Sequence, residues 1–320
     1  MEKRLLHIYG PVPSRRLGRS LGIDLVPLKT CTYDCVYCQL GRTTKKTLER
    51  REYVTVAEVL SELESKLDCP DRLDYISLAG SGEPTLNSEI GNLILGIKSK
   101  TDIPVAVLTN GSLLWMSHVQ DALMPADLVL PSLDAGDRQL FQYVNRPHKD
   151  ISFEQMVDGL AGFAQRYKGE IWLEVFLLAG VTGIPNEAEK ISSIIRRIRP
   201  TRIQMNTAVR PPAESCASPL TRNQMLALKG IFSGAVDIIS DIELGDWDKR
   251  PNFDSARNDI LSLISRRPCT STDIARSLGL NASETLKQLD ALMMAGEAAT
   301  LRVRKKTFYA AKKSIDPLKA

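Results

Sequence analysis

Six short apolar runs constrain this chain more than any other feature. They are "LGIDLV" (21–26), "LDYISLAG" (73–80), "IPVAVLTN" (103–110), "ADLVLPSLD" (126–134), "IWLEVFLLAG" (171–180) and "RIQMNTAV" (202–209). They are rich in Val, Ile and Leu and close on Gly, Asn, Ser or Asp, which is how strands read. Between them, apolar residues recur at intervals of three and four over 56–67, 88–100, 153–167 and 186–198, as amphipathic helices require. Strand–helix alternation repeated about six times builds a parallel α/β sheet. The near-continuous apolar strands call for cover on both faces. Such a sheet can curl into a barrel. In such barrels chemistry sits at the C-terminal strand ends. Here those ends carry Glu83, Asn110, Ser132, Asp134 and Asn206, a polar set on otherwise apolar strands.

After about residue 250 the pattern changes. Residues 253–267 read as one helix, 270–280 as a second with Thr270 or Ser271 as N-cap, and 281–297 as a third that ends near Gly296. "ATLRVRKKTFYAAKK" (299–313) then alternates apolar and basic residues, as a β-hairpin does. Residues 253–313 resemble a small winged helix-turn-helix domain. Charge divides at the same place. Residues 1–250 hold 30 Lys and Arg against 31 Asp and Glu, whereas residues 251–320 hold 12 against 7. The positive excess belongs to the last segment, which suggests separate partners for the two parts. The expected domains are thus a barrel with an N-terminal extension over 1–250, and a winged-helix-like domain with a C-terminal tail over 251–320.

Six cysteines are present, three of them as C-x3-C-x2-C in "CTYDCVYCQ" (31–39). No apolar run reaches the about 18 residues of a membrane span. The apolar stretch near the N-terminus is too short for a secretory signal. A cytoplasmic protein is expected, and there clustered thiols are metal ligands more often than disulfides. A structural zinc site takes four protein ligands, and Cys69, Cys216 and Cys269 are isolated. Zinc then has to borrow one distant ligand. An iron–sulfur cluster with three thiolates keeps one iron open for a further ligand, and is the better fit to Cys31, Cys35 and Cys38.

The spacing, with Tyr37 before the third cysteine, resembles the signature of the radical S-adenosylmethionine (radical SAM) superfamily. "AGSGEPTLN" (79–87) at the end of the second strand resembles that family's GGEP motif. The resemblance implies a partial (β/α)6 TIM-like barrel and two cofactors, a [4Fe–4S] cluster and S-adenosyl-L-methionine. It implies that one electron cleaves the sulfonium and yields a 5′-deoxyadenosyl radical that abstracts hydrogen from a substrate. A low-potential donor of flavodoxin or ferredoxin type is implied as well. The metal ligands expected are Cys31, Cys35 and Cys38. The cofactor-binding residues expected are Tyr37, then Gly80, Ser81, Gly82 and Glu83 for the ammonium group. Asn110, Ser132 and Asp134 are expected at the ribose and carboxylate, and Asn206 with the backbone near Val209 at the adenine. Glu174, inside the fifth strand, is costly unless it faces a polar barrel interior, and is taken as inward and functional.

The substrate is less defined. Arg15, Arg16 and Arg19 precede the first strand and suit an anion or a solvated loop equally. Arg146 and His148 lie in "YVNRPH", and Cys216 follows the sixth strand. The barrel also resembles the tRNA wyosine-base synthases and their relatives. It lacks their cysteines upstream of Cys31, and Gln39 stands where they have Trp. Three functions stay open. One is radical modification of RNA or a nucleotide, with helix 281–294 and Arg302, Arg304, Lys305 and Lys306 meeting phosphates. Another is modification of a peptide docked on the winged helix. The third is a DNA-binding Fe–S redox regulator, which needs no cofactor pocket. Residues 253–313 are expected to recruit a substrate and to take no part in the radical chemistry.

Overall fold

A computed structural model describes residues 7–67, 73–239, 256–304 and 306–314. Cys69, Lys305 and the expected boundary at 250/251 lie outside the described residues.

β1 (Ile8–Ser14) and β2 (Gly18–Ile23) form an antiparallel hairpin. The two-residue strands β3 (Thr30–Cys31) and β4 (Lys45–Lys46) clip the base of the cysteine loop. There follow α1 (Val56–Leu67), β5 (Tyr75–Leu78), α2 (Ile90–Lys98), β6 (Val105–Thr109), α3 (Ser117–Leu123), β7 (Leu128–Pro131), α4 (Arg138–Val144) and α5 (Phe153–Arg166). Then come β8 (Glu170–Leu177), α6 (Pro185–Ile198), β9 (Arg202–Thr207), α7 (Arg222–Lys229) and β10 (Val236–Ile238). The sheet order is β1-β2-β5-β6-β7-β8-β9-β10, with every pair parallel except the β1–β2 hairpin. All six expected strands form. The additions are two edge strands. β1 contains two prolines and reads as loop in the sequence, but proline is tolerated on a sheet edge where one side needs no ladder bond.

Strand side chains alternate between the two faces. Ile76, Leu78, Val105, Val107, Leu173, Val175 and Met205 face the helices and join the main core. The opposite positions, Ala106, Leu108, Leu128, Leu130 and Trp172, line the inner face, where Leu17 from the β1–β2 turn plugs one end. Continuing along that inner face, β8 presents Glu174 and then Phe176, and β9 presents Asn206. Glu174 and Asn206 thus lie on the inside beyond the apolar plug.

The C-terminal part is α8 (Ala256–Arg266), α9 (Ser271–Leu278), α10 (Ala282–Met294) and the hairpin β11 (Ala298–Val303) with β12 (Lys306–Ala311). Thr270 caps α9 in a reciprocal capping box with Asp273, and Asn281 caps α10. Ile260, Leu263, Ile264, Ile274, Leu289 and Leu292 form its core. That core does not stand alone. Val12 of β1 is buried in it and Tyr9 packs against it, so the hairpin at the barrel edge serves both parts. Among the described residues no helix is long and apolar enough to cross a membrane.

Candidate cofactor site at the cysteine loop

The cysteine loop leaves β2 through Asp24–Lys29 and folds over the C-terminal strand ends. Backbone bonds tie it on both sides. Asp34 and Val36 donate to the carbonyls of Asn145 and Val144, at 3.0 and 2.9 Å. Arg42 pairs with Asp34 and Glu214, and Arg146 pairs with Glu214, so one charged network pins the loop to the β9 side. Arg146 and His148 therefore meet the loop rather than the cavity: the His148 N–H donates to the Thr32 carbonyl at 2.8 Å.

Cys31, Cys35 and Cys38 all line one cavity of about 390 Å3. Among the described residues no three His, Cys, Asp or Glu side chains converge where a single metal ion would sit. Burial, with Glu83 next in weight, pushes the Cys31 thiol up to about 12. Burial also raises Cys35 and Cys38. A metal that takes such thiols as ligands holds them as thiolates. Two side-chain amides stand ready for that charge. Asn110 Nδ2 donates to Cys31 Sγ at 3.5 Å, and Asn145 Nδ2 donates to Cys35 Sγ at 3.6 Å. Hydrogen bonds to ligand sulfur are one of the means by which proteins set cluster potentials. The donor set, three thiols in one cavity with amide donors on two of them, fits a thiolate-bound iron–sulfur cluster.

The Gly-Ser-Gly stretch forms the neighbouring wall. Gly80 has φ +118°, and a Cβ there would lie 1.7 Å from Asp24 Oδ1; a Cβ at Gly82 would lie 1.8 Å from the Thr30 carbonyl oxygen. Only glycine lets this loop pass so close to the cysteine loop. Ser81 N–H donates to Asp24 Oδ1 at 2.5 Å. Gly80→Ala or Gly82→Ala is therefore expected to cut S-adenosylmethionine affinity at least about tenfold while cluster iron is retained, because the strain falls on the loop and not on a ligand. Equilibrium dialysis with an iron assay checks it, and unchanged affinity in both variants contradicts the placement.

Glu83, Asn110 and Asp134 stand behind the cavity wall. Glu83 is 2% exposed, and its carboxylate accepts from Thr85 N–H, Thr85 Oγ1, Thr109 Oγ1 and Asn110 N–H. Burial raises its pKa while those donors oppose the rise. Asp134 accepts from Tyr37 Oη, from Asn145 Nδ2 at 2.8 Å and from Phe176 N–H at 3.2 Å; burial takes its pKa up to about 6. Tyr37 lines the cavity, stacked on Phe176 with centroids 3.9 Å apart. Glu174 and Asn206 also line the cavity and are bonded at 2.9 Å, Arg16 pairs with Glu174, and Ser132 Oγ donates to Glu174 at 3.3 Å. Glu174 is inward, with a cation and two hydrogen-bond donors to offset its burial. Cys216 is exposed and Cys269 is buried in the C-terminal core, and neither lines this cavity.

Several lining residues carry no signal in the sequence. Arg210, Arg266 and Arg267 enter the cavity beside Arg15 and Arg16. Arg266 comes from the end of α8 and donates to Asp24 Oδ2 at 2.7 Å. The same guanidinium sits 4.2 Å from the Tyr9 ring centroid. The C-terminal part thus supplies some of the lining of the cysteine cavity. Its arginine holds the aspartate that holds the Gly-Ser-Gly loop.

A three-cysteine loop at the open end of a mostly parallel α/β sheet, facing a glycine-rich strand end, defines a class of cluster-dependent S-adenosylmethionine enzymes. A profile for the Radical SAM superfamily matches residues 25–195, and the chain belongs to that superfamily. Its cofactors are a [4Fe–4S] cluster and S-adenosylmethionine. A profile for bacterial regulatory proteins of the arsR family matches residues 254–296. The chain is 30% identical to a UPF0026 protein of Methanocaldococcus jannaschii over 94% of each chain. It is 33% identical to a UPF0026 protein of Helicobacter pylori strain J99 over 95% of this chain and 97% of that one. It is also 40% identical to a protein of Brachyspira hyodysenteriae named GTPase Obg, over 91% of this chain but only 43% of that relative's length. Among solved structures the fold resembles a radical SAM methyltransferase from Sphaerobacter thermophilus, with a TM-score of 0.55, 14% identity, and 68% and 65% of the two chains covered. It likewise resembles Streptococcus suis SuiB bound to S-adenosylmethionine, with a TM-score of 0.52, 12% identity, and 68% and 50% covered.

Proposed function

We propose that this enzyme modifies a nucleotide or an RNA by hydrogen abstraction, and that the substrate reaches the cofactors along a basic groove between the barrel and the wing. When bound, the two cofactors supply a 5′-deoxyadenosyl radical. The chain's own residues hold and orient them. Cys31, Cys35 and Cys38 are assigned as cluster ligands. Gly80, Ser81 and Gly82 offer backbone polar groups to the amino-acid end of S-adenosylmethionine. Glu174, Asn206 and Ser132 offer hydrogen bonds from the inner sheet face, and Tyr37 with Phe176 gives an aromatic wall. Glu83, Asn110 and Asp134 are assigned as positioning residues, because their oxygens and amides are spent on the loops that carry the direct contacts.

The observation that carries the substrate class is a second cavity of about 560 Å3. It shares Gln39, Leu40, Gly41, Arg266 and Arg267 with the first and extends to Arg302 and Arg304 on the wing. Four arginines along one path suit a phosphate backbone. Helix α10 does not suit one. Its exposed positions include Leu286, Met293 and Met294 beside a lone Lys287 and Asp290. The proposed phosphate path therefore follows the wing groove rather than this helix. Those exposed apolar residues favour a second reading, a peptide or protein docked on α10.

For the intact protein, affinity for a short single-stranded RNA should fall steeply with salt as contacts to phosphate release counterions. Replacing Arg302 and Arg304 by Ala should flatten the slope by about one unit per lost contact. Fluorescence anisotropy over a salt series measures it. No binding at low salt, with 5′-deoxyadenosine still formed under reducing conditions, leaves the protein-docking reading.

A further inference from the structure

We propose that Arg15, Arg210 and Arg267 form a built site for a phosphate monoester dianion inside the cofactor cavity, at the seam between the barrel and the C-terminal part. The three side chains come from unrelated places: the β1–β2 turn, the loop after β9, and the residue after α8. All three line the one cavity that also holds the cysteine sulfurs.

Charge matching sets this trio apart from the other cations of the cavity. Arg16 is matched by Glu174 and Arg266 by Asp24. Lys29 lies close enough to Cys38 to oppose the rise in its thiol pKa. Arg15 and Arg267 make no ion pair among the described residues. Arg210 has one side-chain hydrogen bond, from Nη1 to Gln39 Oε1 at 3.3 Å, and its Nε is buried with no hydrogen-bond partner among the described residues. A buried guanidinium donor left open is costly unless something accepts from it. The three cations also repel. Burial and the nearby Arg267 and Arg15 lower the pKa of Arg210 to about 9, and burial with Arg267 lowers that of Arg15. The acid that faces them is Asp273, whose pKa is lowered by Arg210 and Arg15. Its side chain is already committed to the α9 capping box. Three guanidiniums against one carboxylate leave an excess of two positive charges.

The charge of this cluster selects the ligand. A phosphate monoester carries about −1.5 to −2 at neutral pH and presents three acceptor oxygens. It cancels the excess and can accept hydrogen bonds from planar guanidinium forks. A phosphodiester or a carboxylate carries one charge and leaves the excess half matched. The site therefore suits a terminal phosphate, as on a mononucleotide or a 5′-phosphorylated RNA end, and places it next to the radical chemistry. This inference rests on the nucleotide or RNA reading for its biological sense, but its test is separate from that one.

The test uses the full chain with cluster reconstituted and no reductant, so nothing turns over. Inorganic phosphate is titrated by calorimetry, with and without saturating S-adenosylmethionine. Arg15→Gln, Arg210→Gln and Arg267→Gln should each weaken phosphate binding at least about tenfold, while cluster iron stays at the wild-type level. Arg138→Ala, at a surface pair with Glu154, should leave phosphate binding unchanged. A nucleoside 5′-monophosphate should bind at least as well as phosphate, and a dinucleotide with only an internal diester should bind more weakly. If Arg210→Gln fails to fold, the Arg15 and Arg267 variants carry the test. Equal phosphate binding in wild type and variants overturns the site. Displacement of phosphate by S-adenosylmethionine also overturns it, since the arginines then serve the cofactor's own carboxylate. Phosphate binding without any RNA binding upholds this site and sinks the RNA reading. RNA binding without phosphate binding does the reverse.

Discussion

Cys35→Ala protein, purified and reconstituted without oxygen, is expected to hold no [4Fe–4S] cluster, where the wild type holds about four irons per chain. The effect should be all or none. Cys31, Cys35 and Cys38 are the thiols that line the cavity, and a cluster already short of a fourth thiolate has no spare protein ligand. Neither other described cysteine offers a substitute. Cys216 is exposed, and Cys269 is buried with its backbone paired to Tyr309. Folding should survive, because the loop is held by backbone bonds from Asp34 and Val36 and by the Arg42–Asp34–Glu214–Arg146 network, none of which uses the sulfur. Iron and sulfide assays with visible absorption read the outcome, and circular dichroism checks the fold. Cys216→Ala, Cys269→Ala and Cys69→Ala should keep full iron. Retention of the cluster in Cys35→Ala, or stoichiometric zinc in the wild type, contradicts the ligand assignment.

The second large effect is expected at Arg266. Its guanidinium and the Asp24 carboxylate are each 11% exposed and 2.7 Å apart. Burial raises the pKa of Asp24, and Arg266 is the largest influence opposing that rise. Arg266→Ala leaves a buried carboxylate without its cation, a change that costs about 3–5 kcal/mol in comparable buried pairs. Total stabilities run at about 5–15 kcal/mol, so the variant should show a large drop in denaturant midpoint. S-adenosylmethionine affinity should fall with it, because the other Asp24 oxygen holds Ser81 N–H. Replacing both partners with neutral residues of similar shape, Asp24→Asn with Arg266→Met, should recover most of the stability, since no buried charge is then left over. Additive losses in this double-mutant cycle contradict the coupling. The same contact makes a chain cut before α8 a poor cofactor binder, because the cut removes Arg266 and uncovers Val12 and Tyr9.

The sequence by itself determined the features whose determinants lie within a few residues of each other. Three cysteines within eight positions specify a thiolate site before any fold is known, because the loop that carries them is short enough to gather them. The six core strands are legible for the same reason, since burial on both faces forces continuous apolar runs. The caps at Thr270 and Asn281 are bonds to residues three positions ahead, at Asp273 and Glu284. Even Glu174 is legible as inward, because a charge on a buried strand has few other places to go.

Tertiary structure alone decided which polar groups meet across large separations. Asp24 and Arg266 are 242 positions apart, and Arg16 and Glu174 are 158 apart. Asn145 reaches Cys35 from 110 positions away. No periodicity or motif links such pairs, and a solvated arginine and a buried one look identical in sequence. The edge strand β1 was hidden by its prolines, and its role as the surface shared by barrel and winged helix was hidden with it. The partners that the fold supplies for the oxygens of Glu83 and Asp134 are likewise invisible in the sequence. A carboxylate's chemistry is set by its partners, and partners are a property of three-dimensional packing.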